Sequence, residues 1–202
     1  VVATTEAAAD DAVVQDALRH GAKVTRGSAD DVLARYFFAA TEHGADPVVR
    51  VTADCPLFDP DVLDGMLQRW RRVRAGGRRL DYLSNTVARS FPRGLDAEIF
   101  TYAALEKAHR GATLPHQREH VTPYLWENPQ DFAIEQFTSA QDMSRFRLTL
   151  DTPEDWQLIE SIFEQLGSGG RRFGTGDVLA LMQAQPELAA INAHVEQKKV
   201  GQ

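Results

Sequence analysis

Three times within the first 75 residues a short apolar or β-branched run is followed by a stretch with helical spacing, and this repetition restricts the chain to few architectures. The pairs are residues 1–4 with 9–20, 22–27 with 28–44, and 47–52 with 60–74. In the third helical stretch Val62, Leu63, Met66, Leu67, Trp70 and Val73 recur at three- and four-residue intervals, which puts them on one face. Strand–helix units in series predict a mostly parallel sheet covered by helices on both faces. Ser28 and Asp31 are spaced as a capping box for the second helix, and Gly44 marks its end.

The second half is less regular. Strands are expected at 81–85, 97–101, 132–138 and 146–150, and helices at 102–109, 117–128, 153–166 and 177–184. Residues 167–176, rich in glycine, read as a flexible connector. The expected organisation is one α/β domain over 1–166 with a helical extension over 167–202 packed on it.

The formal charge of −7 argues against a generic nucleic-acid binder, which needs a basic surface to displace counterions. The arginine-rich stretch 69–79 interleaves with the apolar stripe of the third helix and suits a solvated face. No apolar run reaches the roughly 18 residues of a membrane span. The single cysteine, Cys55, cannot form an internal disulfide, and no signal-peptide pattern opens the chain, so a cytoplasmic protein is expected. Six histidines without regular spacing give no zinc cluster or triad, and only His120 stands out.

Ligands of open α/β sheets gather beyond the carboxyl ends of the strands. Asp54 and Asp151 each follow an expected strand directly. Two carboxylates at such an edge suit Mg²⁺, which takes one or two protein carboxylates and completes its shell with water and substrate phosphates. In isolation Asp151 suits an N-cap beside Pro153 better than a metal ligand, whereas Asp54 lies too far before Pro60 to cap that helix, and an Asx turn with Cys55 and Pro56 is the other reading of it. The stretch 85–100 mixes Arg89, Arg93, Gly94, Asp96 and Glu98 and reads either as a polar-ligand loop or as a surface turn.

The motifs "VVATT", "RGSADDVLARY", "VRVTADCPLFDP", "DYLSNT", "FPRGLDAEIF", "REHVTPYLWENP", "LTLDTPEDWQLI" and "ELAAINAH" occur in an order that resembles the spore coat polysaccharide biosynthesis protein F family. That family is similar to the cytidylyltransferases for acidic sugars, including acylneuraminate and 3-deoxy-manno-octulosonate. The resemblance implies a nucleotide-diphospho-sugar transferase fold, a Rossmann-like three-layer α/β/α sandwich. It also implies CTP and an acidic, nonulosonate-like sugar as substrates, with pyrophosphate released, in surface polysaccharide or glycan synthesis. By similarity Asp54 and Asp151 hold Mg²⁺. Arg26, Gly27, Ser28, Ala53 and Asp54 line the nucleotide, and Arg93, Asp96, Glu98 and His120 meet the sugar. Ala53 stands where the family has glycine, and a homodimer fits the pattern of related enzymes. Family members carry a strand, a phosphate loop and a helix ahead of the unit with which this sequence opens. The expectation is therefore a sheet and a triphosphate cradle short of one unit of about 30 residues, with low activity. Other chemistries of the same fold are sugar-phosphate nucleotidylyl transfer, glycosyl transfer or a non-catalytic module.

Overall fold

A computed structural model describes residues 1–170 and 172–197. Strand β1 (Val2–Thr5) pairs in parallel with β2 (Val24–Gly27). A 3₁₀ turn at Ala8–Asp10 and helix α1 (Asp11–Arg19) connect them. Helix α2 (Val32–His43) then packs on both strands. A second sheet has the order β3 (Val48–Arg50), β5 (Glu98–Phe100), β4 (Tyr82–Ser84), β6 (Ile134–Gln136). Strands β3, β4 and β6 run the same way, while β5 opposes both its neighbours. The sheet is largely parallel, as expected, with β5 as the reversal.

Alternation along these strands defines the layers. Val48, Tyr82 and Phe100 lie side by side and bury against α2, α4 (Tyr102–Gly111) and α6 (Pro123–Glu127). One residue away, Leu83 and Ile99 face the other side and bury against Met66, Trp70 and Val73 of α3 (Pro60–Ala75). A third core joins α7 (Pro153–Leu166), α8 (Thr175–Ala184) and α9 (Pro186–Ile191) to Leu57, Phe146 and Leu148. Of the arginines at 69–79, Arg69 and Arg78 share the carboxylate of Glu135, and Arg74 lies over the Trp70 ring.

Several local expectations change. Asp31 itself caps α2, accepting the Ala34 N–H at 2.9 Å, and Ser28 Oγ accepts the Asp31 N–H at 3.0 Å, so the helix begins at Val32. The single helix expected at 117–128 is two, α5 (Pro115–His120) and α6, because Val121 turns to φ 72° and Pro123 cannot donate a backbone hydrogen bond. Within 167–176, Ser168–Gly170 forms a 3₁₀ turn and α8 begins at Thr175; Arg171 lies outside the described residues. Helix α9 has no counterpart in the expected elements, and its Pro186 starts it after Gln185.

The strand expected at 146–150 is instead an extended segment that changes partners. Arg93 N–H donates to Phe146 O (3.1 Å) and Leu148 N–H to Arg93 O (2.7 Å), after which Leu150 N–H donates to Asp54 O (2.8 Å). Only one bridge, Arg93 to Arg147, forms before the switch. Gly94, at φ +95°, is what lets the backbones come this close: a Cβ there would stand 2.4 Å from the carbonyl carbon and oxygen of Leu148. Gly94→Ala is expected to cost about 2–4 kcal/mol from strain and backbone collision together. Urea unfolding measures it, and an unchanged midpoint would show that the close approach is dispensable.

Candidate active site

The partner switch brings Asp54 and Asp151 to one edge. Asp54 O accepts from Leu150 N–H, and Thr149 Oγ1 donates to the same carbonyl (3.1 Å) and to Asp54 Oδ2 (3.3 Å). Asp151 is the next residue, and both aspartates are exposed. Phe146 and Leu148 point into the α7–α9 core, while Arg147 and Thr149 alternate to the side that carries the aspartates.

Thr152, not Asp151, caps α7. Its side chain accepts the Asp155 N–H, and Asp155 Oδ2 accepts the N–H groups of Thr152 (3.1 Å) and Asp151 (3.0 Å). The wholly buried Asp155 also takes a two-pronged bond from Arg147, through Nε (2.8 Å) and a terminal nitrogen (2.8 Å), and one from Asn192 Nδ2 (2.8 Å). Burial alone would raise the Asp155 pKa, but the bonds from Arg147 and Asn192 outweigh it and hold it at about 2. The same Arg147 nitrogen reaches Asp151 Oδ2 at 2.7 Å. Asp151 is thus aimed by an arginine that is itself fixed from below.

Asp96 is gripped by Arg89 through both carboxylate oxygens, at 2.6 and 2.8 Å. Arg93, half-buried three residues before Asp96, has no side-chain partner among the described residues. Burial and then the positive charge of Arg89 push its pKa down. Cys55 lies in this neighbourhood, where its thiol is pushed up to about 12, mainly by burial and further by Asp54 and Asp96. A thiol so shifted is no nucleophile.

Glu98 is buried beneath the sheet edge. It accepts from the Tyr82 hydroxyl and from Thr122 Oγ1 (2.6 Å), and pairs with Arg50 at 2.6 Å. Burial, together with Glu98, raises the Tyr82 pKa well above its ordinary value. Thr122 follows a strained three-residue turn in which buried Val121 adopts φ 72° and ψ −56° and Thr122 N–H donates to His120 O (2.9 Å). His120, the first residue of this turn, is half-buried.

At the end of β2, Arg26 spends its guanidinium on Thr5 O, Ala7 O and Asp11, which ties down the turn into α1. Gly27 lies in ordinary contact range of Arg35, whose Cγ would sit 3.4 Å from an added Cβ, and Ser28 O accepts from Arg35. Ala53 is exposed beside Asp54. The structure therefore gathers Asp54, Ala53, Asp151, Arg93 and Asp96 around one edge, with Glu98 held inward in ion-paired form. Arg147, Asp155, Thr149 and Arg50 were not singled out from sequence. The only trace of the Arg147 cluster was the spacing of charges in "RLTLDTPED".

Carboxylates at the carboxyl edge of a largely parallel sheet, with arginines set between them, suit phosphate chemistry. The chain belongs to the cytidylyltransferase family, whose profile matches residues 1–179. It is therefore an enzyme that transfers a cytidylyl group, with CTP as donor. A solved cytidylyltransferase from Leptospira borgpetersenii is 34% identical and superposes with a TM-score of 0.85, over 96% of this chain and 78% of that one. An uncharacterized protein of Methanocaldococcus jannaschii is 33% identical over 98% of this chain and 78% of its own. The spore coat polysaccharide biosynthesis protein SpsF of Bacillus subtilis is 28% identical over 94% of this chain and 76% of its own. The CTP complex of CMP:2-keto-3-deoxy-manno-octonic acid synthetase shares the fold, with a TM-score of 0.57 at 15% identity, over 80% of this chain and 79% of that one. Among the described residues no helix is long and apolar enough to cross a membrane.

Two measurements check this description. The folded pKa of Asp155 lies below its ordinary 3.8, so its stabilisation is present above about pH 4 and disappears as pH falls through about 2. That contribution is roughly 2 kcal/mol. In Asp155→Asn the loss of stability between pH 4 and 2 should shrink by that amount; an unchanged acid profile would contradict the pairing. Cys55 should stay unreactive to a thiol reagent at pH 8 and react with one equivalent after denaturation. Rapid native labelling would mean the thiol is neither buried nor shifted.

Proposed function

We propose that the protein transfers CMP from CTP to a hydroxyl of an acidic sugar, releasing pyrophosphate, in the synthesis of a surface polysaccharide or glycan. The observation that carries this reading is the Leu150 N–H to Asp54 O bond, which joins two exposed carboxylates at one edge. Neither aspartate caps a helix, and both are exposed. The names of the relatives support a sugar pathway: one acts in spore coat polysaccharide biosynthesis and another is a synthetase for an acidic sugar nucleotide.

The donor set fits Mg²⁺: two hard carboxylates, with no group of three or more His, Cys, Asp or Glu placed to hold a metal among the described residues, leave positions open for water and phosphate oxygens. When bound by Asp54 and Asp151, the ion supplies charge neutralisation for the triphosphate. The chain's own groups do the rest. Arg147 orients Asp151, and Thr149 orients Asp54. Gly27, Ser28 and Ala53 line the nucleotide, with Arg26 fixing the approach of β2 rather than contacting it. The acceptor hydroxyl attacks the α-phosphorus and pyrophosphate leaves on the opposite side, so positioning and charge replace any covalent nucleophile. Arg93 and His120 face the acceptor. Asp96 and Glu98 are positioning residues that act through Arg89 and Arg50.

Asp54→Asn and Asp151→Asn should each lower Mg²⁺-dependent pyrophosphate release by about 100-fold or more. Both variants should unfold at the wild-type midpoint and lose Mg²⁺-dependent CTP binding in calorimetry. Full turnover in either variant removes that residue from the metal site.

A further inference from the structure

Asp59 is the second carboxylate of the loop that carries Asp54, and it is buried where Asp54 is exposed. Burial alternates along this loop: Cys55, Leu57 and Asp59 are buried, while Asp54 and Pro56 are exposed. Leu57 enters the α7–α9 core, Phe58 packs on the α3 core, and Phe58 N–H donates to Cys55 O at 3.0 Å. The short path from Asp54 to α3 is thus anchored at successive residues, and the carboxylate of Asp59 is its last anchor.

That carboxylate joins the N-termini of two helices. Asp59 Oδ1 accepts the Asp61 N–H (2.9 Å) in the first turn of α3. Its Oδ2 accepts twice from Thr175, the first residue of α8, through the backbone N–H (2.7 Å) and through Oγ1 (2.6 Å). All three donors are neutral. Burial would raise the Asp59 pKa, but the bonds from Thr175 and Asp61 outweigh it and hold the carboxyl below its ordinary value. Gly174 precedes Thr175, and a Cβ there would stand 3.2 Å from Asp59 Oδ2, so the glycine leaves the carboxylate its place against α8. Capping α3 needs only Oδ1; the bonds to a helix 116 residues further on have another use.

The other end of the same helical pair holds Asp151. Helices α8 and α9 pack on each other and on α7. At the end of α9, buried Asn192 donates to Asp155 (2.8 Å) and to Arg147 O (3.0 Å), the two residues that aim Asp151. One two-helix unit therefore grips the Asp54 loop through Thr175 and the Asp151 network through Asn192.

We infer that α8 and α9 form a clamp that sets the spacing of Asp54 and Asp151, with Asp59 as the positioning residue that ties the Asp54 loop to it. The inference rests on the reading of the two aspartates as a metal pair and adds what fixes them relative to each other. Mg²⁺ demands near-ideal geometry, so a loosened loop weakens the metal's contribution to CTP binding before it disturbs contacts to the nucleotide itself.

The test measures CTP affinity of the full chain by calorimetry with Mg²⁺ and with EDTA, in wild type, Thr175→Val, Thr175→Ser and Asp59→Asn, alongside the unfolding midpoint of each. The ratio of the two affinities is the gain due to the metal. It is expected to fall about threefold in Thr175→Val and about tenfold in Asp59→Asn, with the affinity in EDTA changed less than about twofold and Thr175→Ser behaving as wild type. Should Asp59→Asn not fold, Thr175→Val decides, because it keeps the α3 cap. A lowered unfolding midpoint with an unchanged ratio would make Asp59 a structural cap alone and overturn the inference. Equal losses with Mg²⁺ and with EDTA would also overturn it, since the disturbance would then lie in the nucleotide contacts. A wild-type protein that binds CTP with no gain from Mg²⁺ would instead defeat the metal-pair reading, and the clamp with it.

Discussion

The buried carboxylate of Asp155 is the interaction on which the rest of the active edge depends. It closes the N-terminus of α7 by accepting the N–H groups of Asp151 and Thr152, receives both prongs of Arg147, and holds Asn192 from the end of α9. A buried ion pair gains little net stability unless its remaining hydrogen-bonding capacity is filled, and here it is filled from three directions. Arg147 then has a fixed position from which it reaches Asp151 on one side and lines a cationic cleft on the other. Positioning of the Asp151 carboxylate and of the arginine on its other side thus comes from one buried group.

The edge is assembled by backbone exchange rather than by a regular strand. Residues 146–150 bond first to the Arg93 segment and then to Asp54, so a continuous ladder is traded for the meeting of two exposed aspartates. Gly94 makes the first contact sterically possible. Beneath the sheet edge, the Glu98, Arg50, Tyr82 and Thr122 network fills the polar interior, and the strained Val121 turn leads from His120 into Thr122, a member of that network. Strain of this kind persists where packing on all sides over-determines it. Val121 is buried and Thr122 is anchored to Glu98, which meets that condition.

Much of this was legible in the sequence because it is local. Helix α7 spans Pro153–Leu166 as its apolar period and Pro153 indicate, and α3 ends one residue beyond its expected limit. Asp54 could be singled out because no helix start lay near enough to explain it. The remainder depends on distant partners. Residues 146–150 have strand composition but bond to two different segments, so composition could not reveal that the ladder breaks. The helix split at Val121 follows from a left-handed residue and a proline whose combined effect a hydrophobic period does not record. Arg26 and Glu98 carry the charges expected of ligand contacts, yet Arg26 is consumed by the β1 turn and Glu98 by Arg50. A charge pattern gives residue type, and only the fold gives the partner.

The central claim is that Asp54 and Asp151 together hold a divalent ion against the phosphates of CTP. Substituting Mn²⁺ for Mg²⁺ and following the paramagnetic broadening of the CTP phosphorus signals tests it most directly. Strong broadening of the phosphorus signals in wild-type protein, lost in both Asp54→Asn and Asp151→Asn while each variant remains folded, is the result the account predicts. Equal broadening in wild type and variants would place the ion elsewhere and contradict it.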